Sequence, residues 1–181
     1  MKKTSWYIIC LIWVISFLPG SISQANANPR VQAISTSDLV GIHEIIDING
    51  LNSSQDWDEC SYITGRGTQA NPYLLEDLII DAQQGEYGIR IEQTDAYLII
   101  RNCTVFNEFS YYREAAGILL TYANNVIVER CILTENMVGM FTGYCLNTNI
   151  RQCNFTWNTN FGLYVYQSEN NTYEGNYFAQ N

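Results

Sequence analysis

Apolar residues recur along this chain in very short alternating runs, and from position 88 onward the runs repeat. Gly88-Ile-Arg-Ile, Gly117-Ile-Leu-Leu, Gly139-Met-Phe-Thr and Gly162-Leu-Tyr-Val open similar stretches, and the last three glycines keep nearly equal intervals. Fourteen residues after the last three glycines stand Cys131, Cys153 and Asn176, and fifteen after Gly88 stands Cys103. Five residues further come Asn136, Asn158 and Asn181, with Asn107 four residues after Cys103. Apolar columns keep the same register: Ile100, Val128, Ile150 and Tyr173 on one side of the Cys/Asn position, Val105, Leu133, Phe155 and Phe178 on the other. Each repeat thus predicts three very short strands separated by polar bends. So short a strand cannot bury its apolar face alone. Stacking equivalent coils about 4.8 Å apart lets each side chain pack on its counterparts above and below. The pattern therefore predicts an all-β fold, a single-stranded right-handed parallel β-helix of about five coils.

An earlier coil fits the same template through Leu75, Leu78 and Ile80, and it exposes a further column: Glu76, Arg101, Glu129, Arg151, Glu174. Charges that alternate from coil to coil suit an outward ladder, because stacked like charges would repel. Cys103, Cys131, Cys153 and Asn176 read as a structural ladder of small side chains facing the core. Adjacent coils bring Cα atoms within disulfide range, so one bridge is compatible with this column. Asn136, Asn158 and Asn181 read as a turn ladder, their amides bonding backbone and one another.

The segment that precedes Asn28 has a different character. Lys2-Lys3 precede an apolar run from Trp6 to Leu18, Pro19-Gly20 breaks it, and Ala25-Asn26-Ala27 offers small residues. That is the pattern of a secretory signal peptide, too short for the roughly 20 residues of a membrane span. The expected organisation is a signal peptide at 1–27, a leader and N-terminal cap region at 28–64, and β-helix repeats at 65–181. No membrane span is expected after cleavage, and the location is secreted, extracellular or cell-surface. The last repeat carries no polar cap, so its coil is expected to continue into further repeats or to meet a partner.

Composition narrows the function. With 18 carboxylates against nine Lys+Arg the net charge is −9, and no lysine follows Lys3. So acidic a chain lacks the electrostatic footprint of a nucleic-acid or anionic-membrane binder. From Leu98 onward there is no aspartate, and the single histidine, His43, lies outside the repeats. No acid–base pair or activated thiol emerges, and no cofactor is expected. Asp56, Asp58 and Glu59 form one dense acidic patch, a weak candidate for a metal such as calcium.

Gly65-Arg-Gly-Thr-Gln-Ala-Asn-Pro-Tyr73 with Leu-Leu-Glu-Asp-Leu-Ile-Ile-Asp81 resembles the first coil of NosD-type right-handed β-helix proteins of the pectin-lyase-like superfamily. The Ile-Ile-Arg-Asn-Cys103 and Val-Ile-Val-Glu-Arg-Cys131 segments are similar to that family's repeat core. The resemblance implies an exported surface protein of archaeal type. It also implies a choice between carbohydrate-active enzymes, copper-protein maturation factors and non-catalytic surface proteins. Copper calls for His, Met and thiolate ligands in close array. Beyond the signal, this chain offers His43, Met137, Met140 and core-facing cysteines.

Two surfaces could bind. The interval from Cys103 to Cys131 is longer than those from Cys131 to Cys153 and from Cys153 to Asn176, and the excess falls between Phe106 and Ala116. Insertions in solenoids become loops on one face, often the binding face. Tyr111 and Tyr112 could stack on sugar rings there, Glu108, Arg113 and Glu114 could bond hydroxyls, and Phe109 belongs to the same candidate site. On the outward side of the glycine-led strand, Phe141, Tyr164 and Tyr166 could form an aromatic platform. The reading is an exported, non-catalytic β-helix module that binds a polysaccharide or cell-envelope component. The alternatives are part of a carbohydrate-active lyase or hydrolase whose catalytic coils are absent here, and a NosD-like copper-delivery protein.

Overall fold

The computed structural model describes residues 41–51, 54–111 and 115–181, with the side chains of 54–56 excepted. The proposed signal peptide and most of the leader lie outside the described residues. In chain order the strands are β1 (Ile42–His43), β2 (Ile46–Asn49), β3 (Tyr73–Glu76), β4 (Ile79–Asp81), β5 (Tyr87–Thr94), β6 (Leu98–Arg101) and β7 (Thr104–Phe106). They continue with β8 (Ala116–Ala123), β9 (Val126–Glu129), β10 (Ile132–Thr134), β11 (Val138–Gly143) and β12 (Asn149–Arg151). The last four are β13 (Asn154–Thr156), β14 (Phe161–Tyr166), β15 (Thr172–Glu174) and β16 (Tyr177–Ala179). One short helix, α1 (Ser54–Glu59), lies between β2 and β3.

Every third strand pairs, always in parallel. The first sheet runs β2-β5-β8-β11-β14, the second β3-β6-β9-β12-β15, and the third β1-β4-β7-β10-β13-β16. The fold is an all-β parallel solenoid. In the second sheet Leu75, Ile100, Val128, Ile150 and Tyr173 stand in one register, as the repeat predicts. In the third, Ile80, Val105, Leu133, Phe155 and Phe178 do the same. As far as Ile150 and Phe155 these columns are buried and make the core, while Tyr173 and Phe178 of the last coil are exposed; Phe155 stacks on Phe178 with ring centroids 4.8 Å apart. Helix α1 lays the buried Trp57 against the first coils, stacked 4.2 Å from Tyr73.

The strands stay short because a left-handed residue turns the chain at each corner. Asp77, Asn102, Arg130, Gln152 and Gly175 follow the ends of successive second-sheet strands with φ between 53° and 60°. For side chains other than glycine that conformation costs roughly 1–2 kcal/mol, and Asn and Asp offset part of it by local hydrogen bonding. The corner amides donate toward the preceding coil. Asn102 Nδ2 donates to Asp77 Oδ1 at 3.1 Å, Asn107 Nδ2 to Asp81 Oδ1 at 2.7 Å, and Asn124 Nδ2 to Asp95 Oδ1 at 2.6 Å. Each of these ladders thus opens on an aspartate of the coil at 73–97.

The link between the glycine and asparagine columns is steric. Asn136 and Asn158 turn inward and are buried, donating from Nδ2 to the carbonyls of Val105 and Leu133. Their Oδ1 atoms accept the backbone N–H of Glu108 and Asn136. A Cβ on Gly117 would lie 2.9 Å from the Asn136 amide, and one on Gly139 would lie 3.0 Å from that of Asn158. Glycine makes the room in which the amide sits.

Two expectations are corrected. Asn107 does not occupy the inward ladder position. It aligns with Glu135 in the left-handed corner, and Glu108 takes the inward place before Asn136. The long interval from Cys103 to Cys131 conceals this, because counting back from the glycine absorbs the insertion at the wrong residue. The charge column is in register, but it bonds in separate groups rather than continuously. Arg101 grips Glu76 at 2.6 Å, whereas the buried Glu129 holds both Arg151 at 2.6 Å and Arg130 at 3.0 Å. Cys60, Cys103, Cys131, Cys145 and Cys153 are all free thiols.

Candidate functional site

Several sequence candidates fall outside any open surface. Glu108 is fully buried, and its carboxylate accepts N–H bonds from Ser110 at 2.6 Å and from Met137 and Val138 at 3.2 Å. Burial pushes its carboxyl above the ordinary range, partly offset by those three donors. It anchors the insertion to β11 and is not available to bond a ligand's hydroxyls. Phe141, expected on an outward platform, is only 3% exposed, since it packs with Ala116, Leu119 and Val138 in a second apolar cluster. Tyr164 joins that cluster, edge-on to Phe141 at 5.4 Å. Outward on a strand is thus not the same as exposed.

Phe109 and Tyr111 of the insertion do reach solvent, Tyr111 at 92%. Tyr112, Arg113 and Glu114 lie outside the described residues, as does the side chain of Asp56. Asp58 and Glu59 are exposed on α1, and no cluster of three His, Cys, Asp or Glu among the described residues is placed to hold a metal. His43 accepts the backbone N–H of Ile79 through Nδ1 at 3.2 Å, a structural task. On the first sheet Asp47 is engaged by Arg90 through two contacts of 2.7 and 2.5 Å and by the Tyr87 hydroxyl at 2.9 Å. The thiols of Cys103, Cys131 and Cys153 lie inside the core. Hydrogen bonding with its two neighbours, together with burial, pushes Cys131 well above the ordinary thiol range.

The most developed surface is the corner where the first sheet turns into the second. Tyr122 and Tyr144 occupy left-handed positions there, at φ 50° and 55°, a conformation costly for a bulky residue. Their rings stack at 4.7 Å with 3° between planes, and Tyr166 at the end of β14 meets Tyr144 edge-on at 5.4 Å. The three form an exposed tyrosine ladder across three coils, with Tyr122 51% exposed. A step further along the corner stand Asn125, Asn147 and Asn170, again left-handed. Asn170 donates to Asn147, Asn147 donates to Asn125 at 3.3 Å, and Asn125 donates to the carbonyl of Asp95 at 3.0 Å. Beyond these amides a groove of about 360 Å³ opens along the outer face of the second sheet, with Tyr97, Ile127, Asn149 and Thr172 in its lining.

Of this corner, sequence reasoning named Tyr166 alone. The signal for the rest was present: Tyr122 and Tyr144 repeat at the interval that separates Gly117 from Gly139, and so do Asn125 and Asn147.

The stacked parallel coils, the inward asparagine ladder and the three sheets define a β-solenoid repeat protein. Residues 58–181 match the family described as right handed beta helix region, and the chain belongs to that family. No curated protein and no solved structure matches the chain. The fold is consistent with a surface or carbohydrate-related module. Among the described residues no helix is long and apolar enough to cross a membrane.

Proposed function

We propose that this protein is an exported, non-catalytic β-helix module of the NosD-type group that binds glycan on its outer surface. The observation that carries the reading is the exposed Tyr122–Tyr144–Tyr166 ladder, bordered by a ladder of uncharged amides. Tyrosines give a sugar apolar ring surface together with a hydroxyl, and planar amides both donate and accept toward its hydroxyl groups. Two of the three tyrosines sit in a strained backbone conformation, so packing of the coil alone gives no reason to place them there. The exposed Phe109 and Tyr111 of the insertion loop supply a second aromatic contact at the other end of the first-sheet strands. Export through residues 1–27 belongs to the same proposal, as does a polysaccharide or cell-envelope partner.

The test is a glycan array with the full chain, a Tyr122→Gln/Tyr144→Gln variant and a Phe109→Ser/Tyr111→Ser variant. Glutamine is the native residue of the same corner column at Gln93 and Gln167, both left-handed, so the first variant keeps the fold. Binding lost in the corner variant supports the tyrosine ladder, and binding lost only in the loop variant moves the site to the insertion. No glycan bound by a folded wild-type chain would refute the proposal.

A further inference from the structure

We infer that the groove beside Asn149 is a subsite for an uncharged saccharide and discriminates against uronates and other anionic sugars. The inference rests on the glycan-binding reading above and narrows it to one face and one ligand chemistry. The outward column of the second sheet runs Leu74, Ile99, Ile127, Asn149, Thr172 in register. The residues before Asn149 are apolar and give the groove an apolar floor at Ile127, with the Tyr97 side chain in the same lining. Asn149 breaks that column, and it breaks the habit of the corner amides too. Asn125, Asn147 and Asn170 each donate to the coil before them, whereas Asn149 Oδ1 is sequestered from solvent and has no hydrogen-bond partner. A polar group left so costs free energy unless something bonds it, and an isoleucine would continue the column without that cost. A ligand hydroxyl in the groove that Asn149 lines, met by rotation of its amide, would supply the partner that Oδ1 lacks.

The chemistry of the walls chooses the ligand class. Amides and hydroxyls surround the apolar Ile127 and the Tyr97 ring in this lining, a mixture suited to the hydroxyls and apolar faces of a sugar, and the volume of about 360 Å³ is at the small end of small-molecule sites. None of the groove's lining residues carries a charge. On the same outward face, two residues along, Arg101 and Arg151 are already bound to Glu76 and Glu129 at 2.6 Å. On that column neither guanidinium is left to pair with a sugar carboxylate, and the exposed Glu174 next in it would repel one. A neutral hexose or pentose polymer can fill this groove, and a polyuronate would bury an unpaired charge.

The experiment is titration calorimetry of the full chain with cellohexaose, xylohexaose and mannohexaose, and with hexagalacturonate as the charged counterpart. Asn149→Ile is the diagnostic variant because Ile99 and Ile127 precede it in the column, and its thermal transition reports whether the stack is intact. At least one neutral hexasaccharide is expected to bind at least tenfold more tightly than hexagalacturonate, and Asn149→Ile should weaken it by about tenfold while leaving the transition in place. Neutral-sugar binding that Asn149→Ile leaves unchanged would overturn the groove while the tyrosine ladder could still stand. Equal or tighter binding of hexagalacturonate would overturn the charge argument. If the array finds glycans and none of the three neutral hexasaccharides binds, the subsite falls alone. If the array too finds nothing, both readings fall together.

Discussion

Replacing Asn158 with alanine removes one rung of the buried amide ladder, and the loss can be counted from its partners. The side chain is buried, donates to the Leu133 carbonyl at 3.0 Å and to Oδ1 of the exposed Asn181 at 2.9 Å, and accepts the backbone N–H of Asn136 at 3.2 Å. Without it, one buried carbonyl and one buried N–H lose a partner. Each unsatisfied group costs roughly 1–3 kcal/mol, so the variant should lose about 2–6 kcal/mol. Against a typical total of about 5–15 kcal/mol, that is a large share of the stability of the fold. Urea unfolding followed by circular dichroism should show the midpoint falling with the slope unchanged, as expected when stability alone has moved. Asn154→Ala is the control. Asn154 is exposed on β13, and the change should stay within about 0.5 kcal/mol of wild type. If Asn158→Ala also cost under about 1 kcal/mol, the inward ladder would not be what ties third-sheet corners to the first sheet.

Other consequences are as direct. Burial raises the Glu108 carboxyl, so its contribution to folding is fully present below the unfolded value of about 4.3 and is lost as pH rises through the higher folded value. The stability of wild type relative to Glu108→Gln should therefore decline from acid toward neutral pH in paired urea titrations, and a rise would reverse the sign of the shift. Ile150→Asp should abolish the cooperative thermal transition, because it forfeits about 1.5–3 kcal/mol of apolar burial and adds an unpaired charge in the core. A retained transition would place Ile150 outside the core. In a Cys10→Ser chain, a thiol reagent should modify at most the half-buried Cys60 under native conditions and all five thiols in denaturant. Two fast-reacting native thiols would contradict the burial of the cysteine ladder.

The coil was legible because repetition multiplies weak signals. One Gly-Ile-Leu-Leu means little, but four such stretches in register with cysteine and apolar columns leave a single way to bury them. What the columns could not tell was depth. Alternation put Phe141 on the outer side of its strand, and only the packing of Ala116, Leu119 and Val138 reveals that this outer side is covered. The one-residue error at Asn107 has a similar origin. An insertion changes the count without saying which residue turns inward, and a glutamate was not an obvious substitute for an asparagine. Glu108 fits because three backbone N–H groups near β11 converge on its carboxylate, a condition set by the third dimension. The Tyr122–Tyr144 stack was readable in principle, at the same period, had the turn residues been aligned as carefully as the strands.

The aspartates that open the corner ladders give the solenoid an arrow. An amide both gives and takes, so it can relay from one coil to the next, while an ionised carboxylate can only receive. Asp77, Asp81 and Asp95 therefore each end a one-way donation from the next coil, received from Asn102, Asn107 and Asn124. The coils are not freely interchangeable beads. The coil at 73–97, moved to an interior place, would set at these three corners carboxylates that have nothing to give to the coil before it.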